Sequence, residues 1–551
     1  MKSNKNLQYM LAILIFGGTL FISSCDESSF LNRYPLDSPS PDVFFVNETS
    51  ARMAVTAAYE SWRRGQYSYY RDMVIMNDAL SDDSYWRPSR AAAIAFSQWQ
   101  INSSDPIAND YWGIAFQSVN AANFAIENIP LLLDKGLTQE KIDPYIAEAR
   151  FMRGFSYMFL TSFFGDVPLH DRPRSSFEDF EQPRTSVADI YNQIIADFTF
   201  AKEKLPEKQP SSYTGAPTKA TAAAFLAKAY LYNKEWGPAE AAARSAINIA
   251  EAAGYGLEDS YEEIFKHENE RNKELLFYIQ FIDNNRSFGD NYMIQRITRN
   301  CPPEFIHVYG MAGWGYALPT RDLFDAYEPG DSRREATIHY PGSVYGIYNG
   351  DKPFTYSHRT YNTEGNLISY EKNYTVGDKI DYDYRWSETG MNVKKSTRNV
   401  AHLQDEYSDG LDVPIMRMAE LYIILAEALA EQGKEEALTW VNKVRARPSV
   451  NLPPKTQADG TLIDIVRKER RVELAMEGHR IFDLLRWGIM KQTFGDNKKV
   501  KKHFFSDYLT DEFTRFSQPK LEKYPGETVL LPIPQNEIDR NSKIDKNNPG
   551  Y

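Results

Sequence analysis

Residues 218 to 249 read TKATAAAFLAKAYLYNKEWGPAEAAARSAINI, and the spacing in this stretch decides the fold. Leu226-Ala227-x-x-Tyr230 is followed nine positions later by Ala239, then by Ala243 and Ala246. These offsets match the tetratricopeptide pattern of paired helices, with Ala227 in place of the usual glycine. Small residues on the second helix let it close tightly onto the first. Working outward, Met418, Leu421, Leu425 and Ala428 recur at helical spacing after Pro414, Gly433 interrupts, and Ala437, Val441 and Val444 continue to Pro448. That is a second helical hairpin. Phe151, Phe155, Met158 and Phe159 predict a helix from Pro144 to Phe164, closed by Gly165 and Pro168; Phe116, Val119, Ala122 and Ile126 predict another beginning near Tyr111. Because the pairs are scattered and not tandem, the expected scaffold is an irregular helical solenoid with long insertions. The largest insertion, about 302–413, is rich in Tyr, Gly, Asp and Pro and predicts loops with short strands and little helix.

With 551 residues, 42% of them hydrophobic and 14% aromatic, the chain has ample material for a large packed core. Net charge is −12 and the only brief basic cluster is Lys498-Lys499-Val500-Lys501-Lys502, which argues against nucleic acid as a partner. The amino terminus has a separate logic. Lys2 and Lys5 precede the apolar run MLAILIFGGTLFI (10–22), and Ser23-Ser24-Cys25 follows. A run of that length is too short to span a bilayer, which takes about 20 residues, so residues 1–24 are expected to be a signal peptide that is removed. The small pair before Cys25 resembles the lipobox of bacterial lipoproteins, which implies that Cys25 becomes the acylated first residue. The acidic Asp26-Glu27 resemble the surface-export signal of Bacteroidetes lipoproteins. Cys301 is the only other cysteine, so no disulfide framework is expected.

Three stretches carry a wider resemblance. The first is Glu148-Ala149-Arg150-Phe151-Met152-Arg153-Gly154-Phe155-Ser156-Tyr157 running into Phe164-Gly165-Asp166-Val167-Pro168-Leu169. The second, the most specific, is RKERRVELAMEGHR at 467–480, continuing to Phe482-Asp483-Leu484 and Arg486-Trp487-Gly488. The third is the ending, Leu531-Pro532-Ile533-Pro534 through Asn548-Pro549-Gly550-Tyr551. They resemble the SusD/RagB family of Bacteroidetes nutrient-binding lipoproteins over almost the whole mature chain. The resemblance implies a mainly α, SusD-like fold in which 25–551 forms a single domain, with helical pairs over about 25–270 and a SusD/RagB part over about 271–551. It implies a lipid-anchored, surface-exposed outer-membrane receptor that captures an oligo- or polysaccharide and delivers it to a SusC-like TonB-dependent transporter. A RagB-like peptide receptor on the same scaffold and a surface glycan-active enzyme are the alternatives.

The charged helix within 467–480 reads as structural. Glu469, Glu473 and Glu477 fall four apart on one face, and Arg470 and Arg471 have neighbours at three or four residues with which to pair. No Gly-rich phosphate loop, GxSxG, HExxH or CxxC occurs, and the eight histidines are dispersed. No catalysis, cofactor or metal is expected. For ligand contact the candidates are Asp82, Asp83 and Trp86 in the loop-like stretch from Asn77 to Trp86, with Trp99, Trp314 between Gly313 and Gly315, and more weakly Arg87, Tyr292 and Tyr316. Carboxylates accept hydrogen bonds from sugar hydroxyls while an indole covers the apolar face of a pyranose. For Trp86, Trp99 and Trp314 an inward, packed position remains the competing reading. Trp112, Trp236, Trp440 and Trp487 fit helical core patterns and are read as packing residues.

Overall fold

The computed structural model describes residues 40–63, 72–86, 91–173, 181–210, 213–281, 316–347, 354–361, 367–375, 377–382, 389–395, 411–495 and 530–551. Within them the architecture is an array of helices. After a single turn, α1 (Pro41–Phe44), come α2 (Glu48–Arg63), α3 (Met73–Ala79), α4 (Ala91–Ser97), α5 (Pro106–Asn128), α6 (Gln139–Phe164), α7 (Val187–Lys204), α8 (Lys219–Tyr232) and α9 (Trp236–Ala252). The short α10 (Arg321–Ala326) and α11 (Ser332–Thr337) lie in the insertion, and α12 (Met418–Glu431), α13 (Ala437–Arg445), α14 (Leu462–Glu473), α15 (Arg480–Trp487), α16 (Met490–Gly495) and α17 (Gln535–Arg540) follow.

The two sequence-predicted hairpins are α8–α9 and α12–α13. Thr218 caps α8 in a reciprocal capping box with Thr221, and Ala239, Ala243, Ala246 and Ala250 of α9 have no exposed surface, as close helix contact demands. Gly433, at φ +69°, turns the chain between α12 and α13. Two helix starts differ from expectation. Helix α5 begins at Pro106, where Asp105 accepts from the amides of Ile107 and Ala108. Helix α6 begins at Gln139, and Pro144 sits inside it, in its second turn, where a proline forfeits one backbone bond.

The pairs are scattered in sequence but continuous in space. Helix α2 packs on α5 and α6, α6 on α7, α7 on α8, α8 on α9, and α9 directly on α12, which in turn holds α13 and α14. The solenoid therefore closes across the whole insertion. Helix α12 is buried almost all round, Glu420 and Glu427 included. One large apolar core runs along the array, and a smaller one at its amino-terminal end holds Phe45, Val55, Leu132 and Ile142.

Strands come only in antiparallel pairs: β1 (Ser84–Trp86), β2 (Val167–Pro168), β3 (Arg184–Thr185), β4 (Leu275–Ile279), β5 (Ala317–Pro319), β6 (Ile338–His339), β7 (Val344–Ile347), β8 (Phe354–Tyr361), β9 (Leu367–Tyr374), β10 (Lys379–Asp381), β11 (Asn392–Val393) and β12 (Val413–Arg417). The pairs are β1–β5, β2–β3, β4–β12, β6–β11, β7–β10 and β8–β9. Among the described residues, seven of the twelve strands, β5 to β11, lie in the insertion, as its composition predicts.

The stretches that carry the family resemblance meet one another. Gly165 ends α6 at φ +69°, and a Cβ there would sit 2.7 Å from a Leu530 methyl. The Leu531 amide donates to the Phe163 carbonyl at 2.7 Å. Asn548 donates to the carbonyls of Phe164 (2.9 Å) and Leu531 (2.7 Å), and Ile533 donates to Asn547 Oδ1. Thus the end of α6, the LPIP segment and the NPGY terminus form one latch.

The charged helix α14 is an ionic hub. Glu473 accepts from Arg417 (2.6 Å), Arg447 (2.9 Å) and Arg333 (2.9 Å), while Glu274 joins Arg417 to Arg447 and Glu477 joins Arg417 to Lys395. Asp331 and Glu469 complete the set on Arg333 and Arg445. All these side chains are buried. Two details correct the helix reading. Arg470 and Arg471 pair with distant elements and not with neighbours one turn away: Arg470 with Asp483 and Glu420, Arg471 with Asp82, Asp83 and Asp322. Nor does Glu477 share the face of Glu469 and Glu473, because α14 ends at Glu473 and the chain reverses through Met476 (φ +61°) and Gly478 (φ +80°). A Cβ on Gly478 would lie 3.4 Å from the Val74 backbone, so this turn needs glycine twice over.

Burial raises the Glu477 carboxyl, but Arg417 and Lys395 more than reverse this and hold it at about 2; Arg447, Arg417 and Arg333 likewise hold Glu473 below the ordinary range. A depressed carboxyl contributes stability that is complete above its unfolded pKa, about 4.3, and is lost as pH falls through the folded value. Urea unfolding should therefore give a free energy that declines from about pH 4.3 towards 2, with a shallower decline in Glu477→Gln. Glu473→Ala leaves three guanidinium groups short of a partner and should cost about 3 to 5 kcal/mol at neutral pH. In the molecules that still fold, calorimetric ligand affinity should be unchanged.

Candidate ligand-binding region

The segment Asn77–Trp86 leaves the buried helix α3 through a tight turn. Ser81 Oγ donates to the Asp78 carbonyl (2.7 Å) and accepts from the Asp83 amide (3.1 Å), and Asp78 Oδ1 accepts from the Gly478 amide (2.9 Å). The turn delivers β1, which pairs with β5 in the register Ser84 with Pro319, Tyr85 with Leu318 and Trp86 with Ala317. Thr320 tightens the junction, its amide donating to the Asp83 carbonyl (2.9 Å) and its hydroxyl to the Asp82 carbonyl (2.8 Å). Trp86 and Tyr316 stack with centroids 4.9 Å apart and planes at 27°.

The carboxylates are already engaged. Asp82 takes a bidentate contact from Arg480 (2.8 and 3.0 Å) and a third from Arg471 (3.1 Å). Asp83 accepts from Arg471 Nε at 2.7 Å, and Asp322 at the start of α10 accepts from Arg471 Nη2 at 3.0 Å. One guanidinium from α14 therefore fixes both limbs of the β1–β5 ribbon. Burial opposes ionisation of Asp82, yet Arg471 and Arg480 hold its carboxyl well below the usual range; burial, with the charge of Asp82 beside it, pushes Asp83 up.

The structure thus brings five of the sequence-predicted residues to one place, but as packing. Asp82, Asp83, Trp86, Trp99 and Tyr316 are 6%, 0%, 2%, 4% and 7% exposed, so none presents a carboxylate or a ring face to solvent. Asp82 and Asp83 are ion-pair partners and not a solvated loop. Trp99 donates its indole N–H to the Leu80 carbonyl (3.1 Å) and holds φ at +57°, so it braces the same turn from beneath. For Trp86 and Trp99 the packed reading is the one seen. Arg87, Tyr292 and Trp314 lie outside the described residues, as do Cys25 and Cys301. Arg471, Arg480 and Thr320 were not among the candidates. Arg471 is 388 positions from Asp83, and no local pattern marks that contact.

Of the four helix tryptophans, Trp112 is buried; Trp236 and Trp440 pack against the main core from partly buried positions. Trp487 donates to Glu427 at 2.7 Å. Elsewhere a groove of about 370 Å³ lies between α7, α8 and α9, lined by Thr199, Lys202, Leu226, Tyr230, Pro238 and Ser245 among others, with a single aromatic. Among the described residues no three His, Cys, Asp or Glu side chains converge as metal ligands would, and no helix is long and apolar enough to cross a membrane.

The profile of the SusD family matches residues 273–551. The chain belongs to the SusD family. A second profile, starch-binding associating with outer membrane, matches residues 29–231, so the two SusD-type profiles cover both halves of the array. A SusD-like protein of Formosa agariphila is 27% identical over 544 residues, covering 95% of this chain and 96% of its own. Among solved structures, a SusD-like carbohydrate binding protein of Bacteroides fragilis superposes with a TM-score of 0.69 at 24% identity, covering 91% of this chain and 99% of the other. A laminarin binding SusD-like protein superposes at 0.68, also 24% identical, covering 92% and 100%. These superpositions establish the SusD-like fold, mainly helical with small two-stranded sheets. The family is one of non-catalytic proteins whose descriptions speak of starch binding and association with the outer membrane, and the ionic hub of this chain is buried and paired within the fold.

Because Trp86 is packed, Trp86→Ala should lower unfolding stability by about 3 to 5 kcal/mol, the range for removing a large buried aromatic. Denaturant titration checks this, and a loss below about 1 kcal/mol would place the indole outside the core.

Proposed function

We propose that this protein captures a glycan at the cell surface, tethered through an acylated Cys25, and passes it to a SusC-like TonB-dependent transporter. The observation that carries the reading is the pair of family matches spanning 29–231 and 273–551, the first of them described as starch-binding. The names of the laminarin-binding and carbohydrate-binding relatives support a glycan as the ligand class.

The β1–β5 ribbon supports a location. Because its strands are antiparallel, Trp86 and Tyr316 stand at the same end of the pair, and Arg87 and Trp314 adjoin them in sequence. Contact with the sugar is assigned to Arg87, Tyr292 and Trp314, the first and last of which neighbour the stacked Trp86 and Tyr316 in sequence. Binding residues favour loops held on a rigid scaffold. Single stacking and hydrogen-bonding contacts are each modest, which suits a ligand that has to be released to a transporter.

Calorimetry of the purified protein against a panel of oligosaccharides and peptides tests the ligand class. Heat with peptides alone moves the reading to a RagB-type peptide receptor. With a binding glycan in hand, Trp314→Ala should weaken affinity by about 1 to 3 kcal/mol, the loss of an aromatic anchor, at an unchanged unfolding midpoint. Unchanged affinity removes Trp314 from the surface. Mass spectrometry of the membrane-extracted protein tests the tether, and an unmodified Cys25 ends that part of the proposal.

A further inference from the structure

Strands β8 (Phe354–Tyr361) and β9 (Leu367–Tyr374) are the longest in the described part of the chain, and they form a sheet of two. Every residue is paired, from Phe354 with Tyr374 to Tyr361 with Leu367, without a bulge. Among the described elements no third strand joins either edge, and each strand packs at length only against the other. At about 3.4 Å per residue the ribbon extends for about 27 Å, enough to underlie several sugar rings. Its register sorts the residues by face, because opposed residues share a side and neighbours along a strand alternate. One face has Phe354 opposite Tyr374, Tyr356 opposite Lys372 and His358 opposite Tyr370. It holds four of the five Phe and Tyr residues of the ribbon, and Lys372 is its only charged residue at neutral pH. The other face has Tyr361 alone of the five, with Arg359 and Glu371 as one charge of each sign. In a chain of net charge −12, a long aromatic face with a lone cation and no carboxylate stands apart.

We infer that this face of the β8–β9 ribbon is a binding surface for an extended glycan that carries carboxylate or sulfate groups. The inference rests on the reading of the ligand as a glycan. Aromatic positions recurring about 6.8 Å apart along a strand suit the apolar faces of successive pyranoses, whose hydroxyls phenols can bond. Lys372 has Tyr370 and Tyr374 on either side of it along β9 and Tyr356 opposite. An ammonium at that position offers a charge-assisted bond to an acidic substituent, and a face without Asp or Glu sets no like charge against it. Two other occupants fit less well. Surfaces that settle on anionic lipid gather several Lys and Arg, and this face has one cation. A peptide strand adding to an open edge is held by backbone bonds, which do not depend on rings and a cation being sorted to one face.

The test is calorimetry of the full-length protein against acidic oligosaccharides (oligogalacturonates, oligoalginates and sulfated galactans), neutral ones (malto- and laminari-oligosaccharides) and peptides, the sugars as dimers and as hexamers. An acidic hexamer should bind best, at least about tenfold more tightly than its dimer, and its affinity should fall as salt rises. Lys372→Met keeps the aliphatic stem and removes the charge. It should weaken the acidic hexamer about five- to tenfold and flatten the salt dependence at an unchanged unfolding midpoint, while Lys372→Arg should keep the affinity. Tyr356→Thr, which retains a strand-forming residue, is the second variant and should weaken the hexamer about fivefold. A neutral glycan as the tightest ligand overturns the inference and leaves the glycan reading standing. So does acidic binding that neither Lys372→Met nor Tyr356→Thr alters. Heat with peptides alone, or with nothing in the panel, overturns the glycan reading and the inference with it.

Discussion

The contact on which the structure most depends is the one between the Glu473 carboxylate and the guanidinium groups of Arg333, Arg417 and Arg447. Each arginine comes from a different part of the chain: α11 in the insertion, the end of β12, and the turn after α13. Stripping water from so many charges costs several kcal/mol per ion, and only dense, well-formed pairing offsets it. Glu274, Glu469, Glu477, Asp331, Arg445 and Lys395 supply that density. Any misplacement of one segment strands a buried charge, so the network penalises wrong arrangements more strongly than it rewards the right one. It selects the register in which the insertion sits against the helices.

The same short helix reaches three ways. Glu469 and Glu473 face this network, Arg470 enters a second one with Glu420 and Asp483, and Arg471 crosses to the β1–β5 ribbon. A run of five residues thus connects the carboxy-terminal helices, the central helix α12 and the amino-terminal turn that carries Trp86. That geometry ties three separate parts of the fold together through one charged stretch.

Helices were legible wherever burial follows local spacing. The alanines of α9 and the Met418–Ala428 series of α12 announce themselves because one face of a helix is buried and the period of 3.6 shows it. Helix starts were less legible: Asp105 and Thr138 are ordinary polar residues until the chain bends there. The candidate site misled for a related reason. Ser-Asp-Asp-Ser reads locally as a solvated turn, and only folding brings Arg471 and Arg480 to neutralise the two carboxylates. Local sequence leaves Trp86 open between a displayed and a packed ring because its partner Tyr316 comes from a distant insertion. What is invisible in each case is a non-local partner.

The direct stacking of α9 on α12 separates two concerns that a chain of this kind has to reconcile. Ala252 and Met418 bound a stretch that leaves the array and returns to it almost at the point of departure. Closing such an excursion costs entropy that grows only with the logarithm of its length, so doubling it would add only about 0.6 kcal/mol. Chain closure therefore constrains the length of the excursion only weakly, and its composition is bound chiefly where Glu274, Asp331, Arg333, Lys395 and Arg417 enter the ionic hub. A receptor built this way can be retuned to a new sugar by rewriting its loops while its backbone of helices stands unaltered.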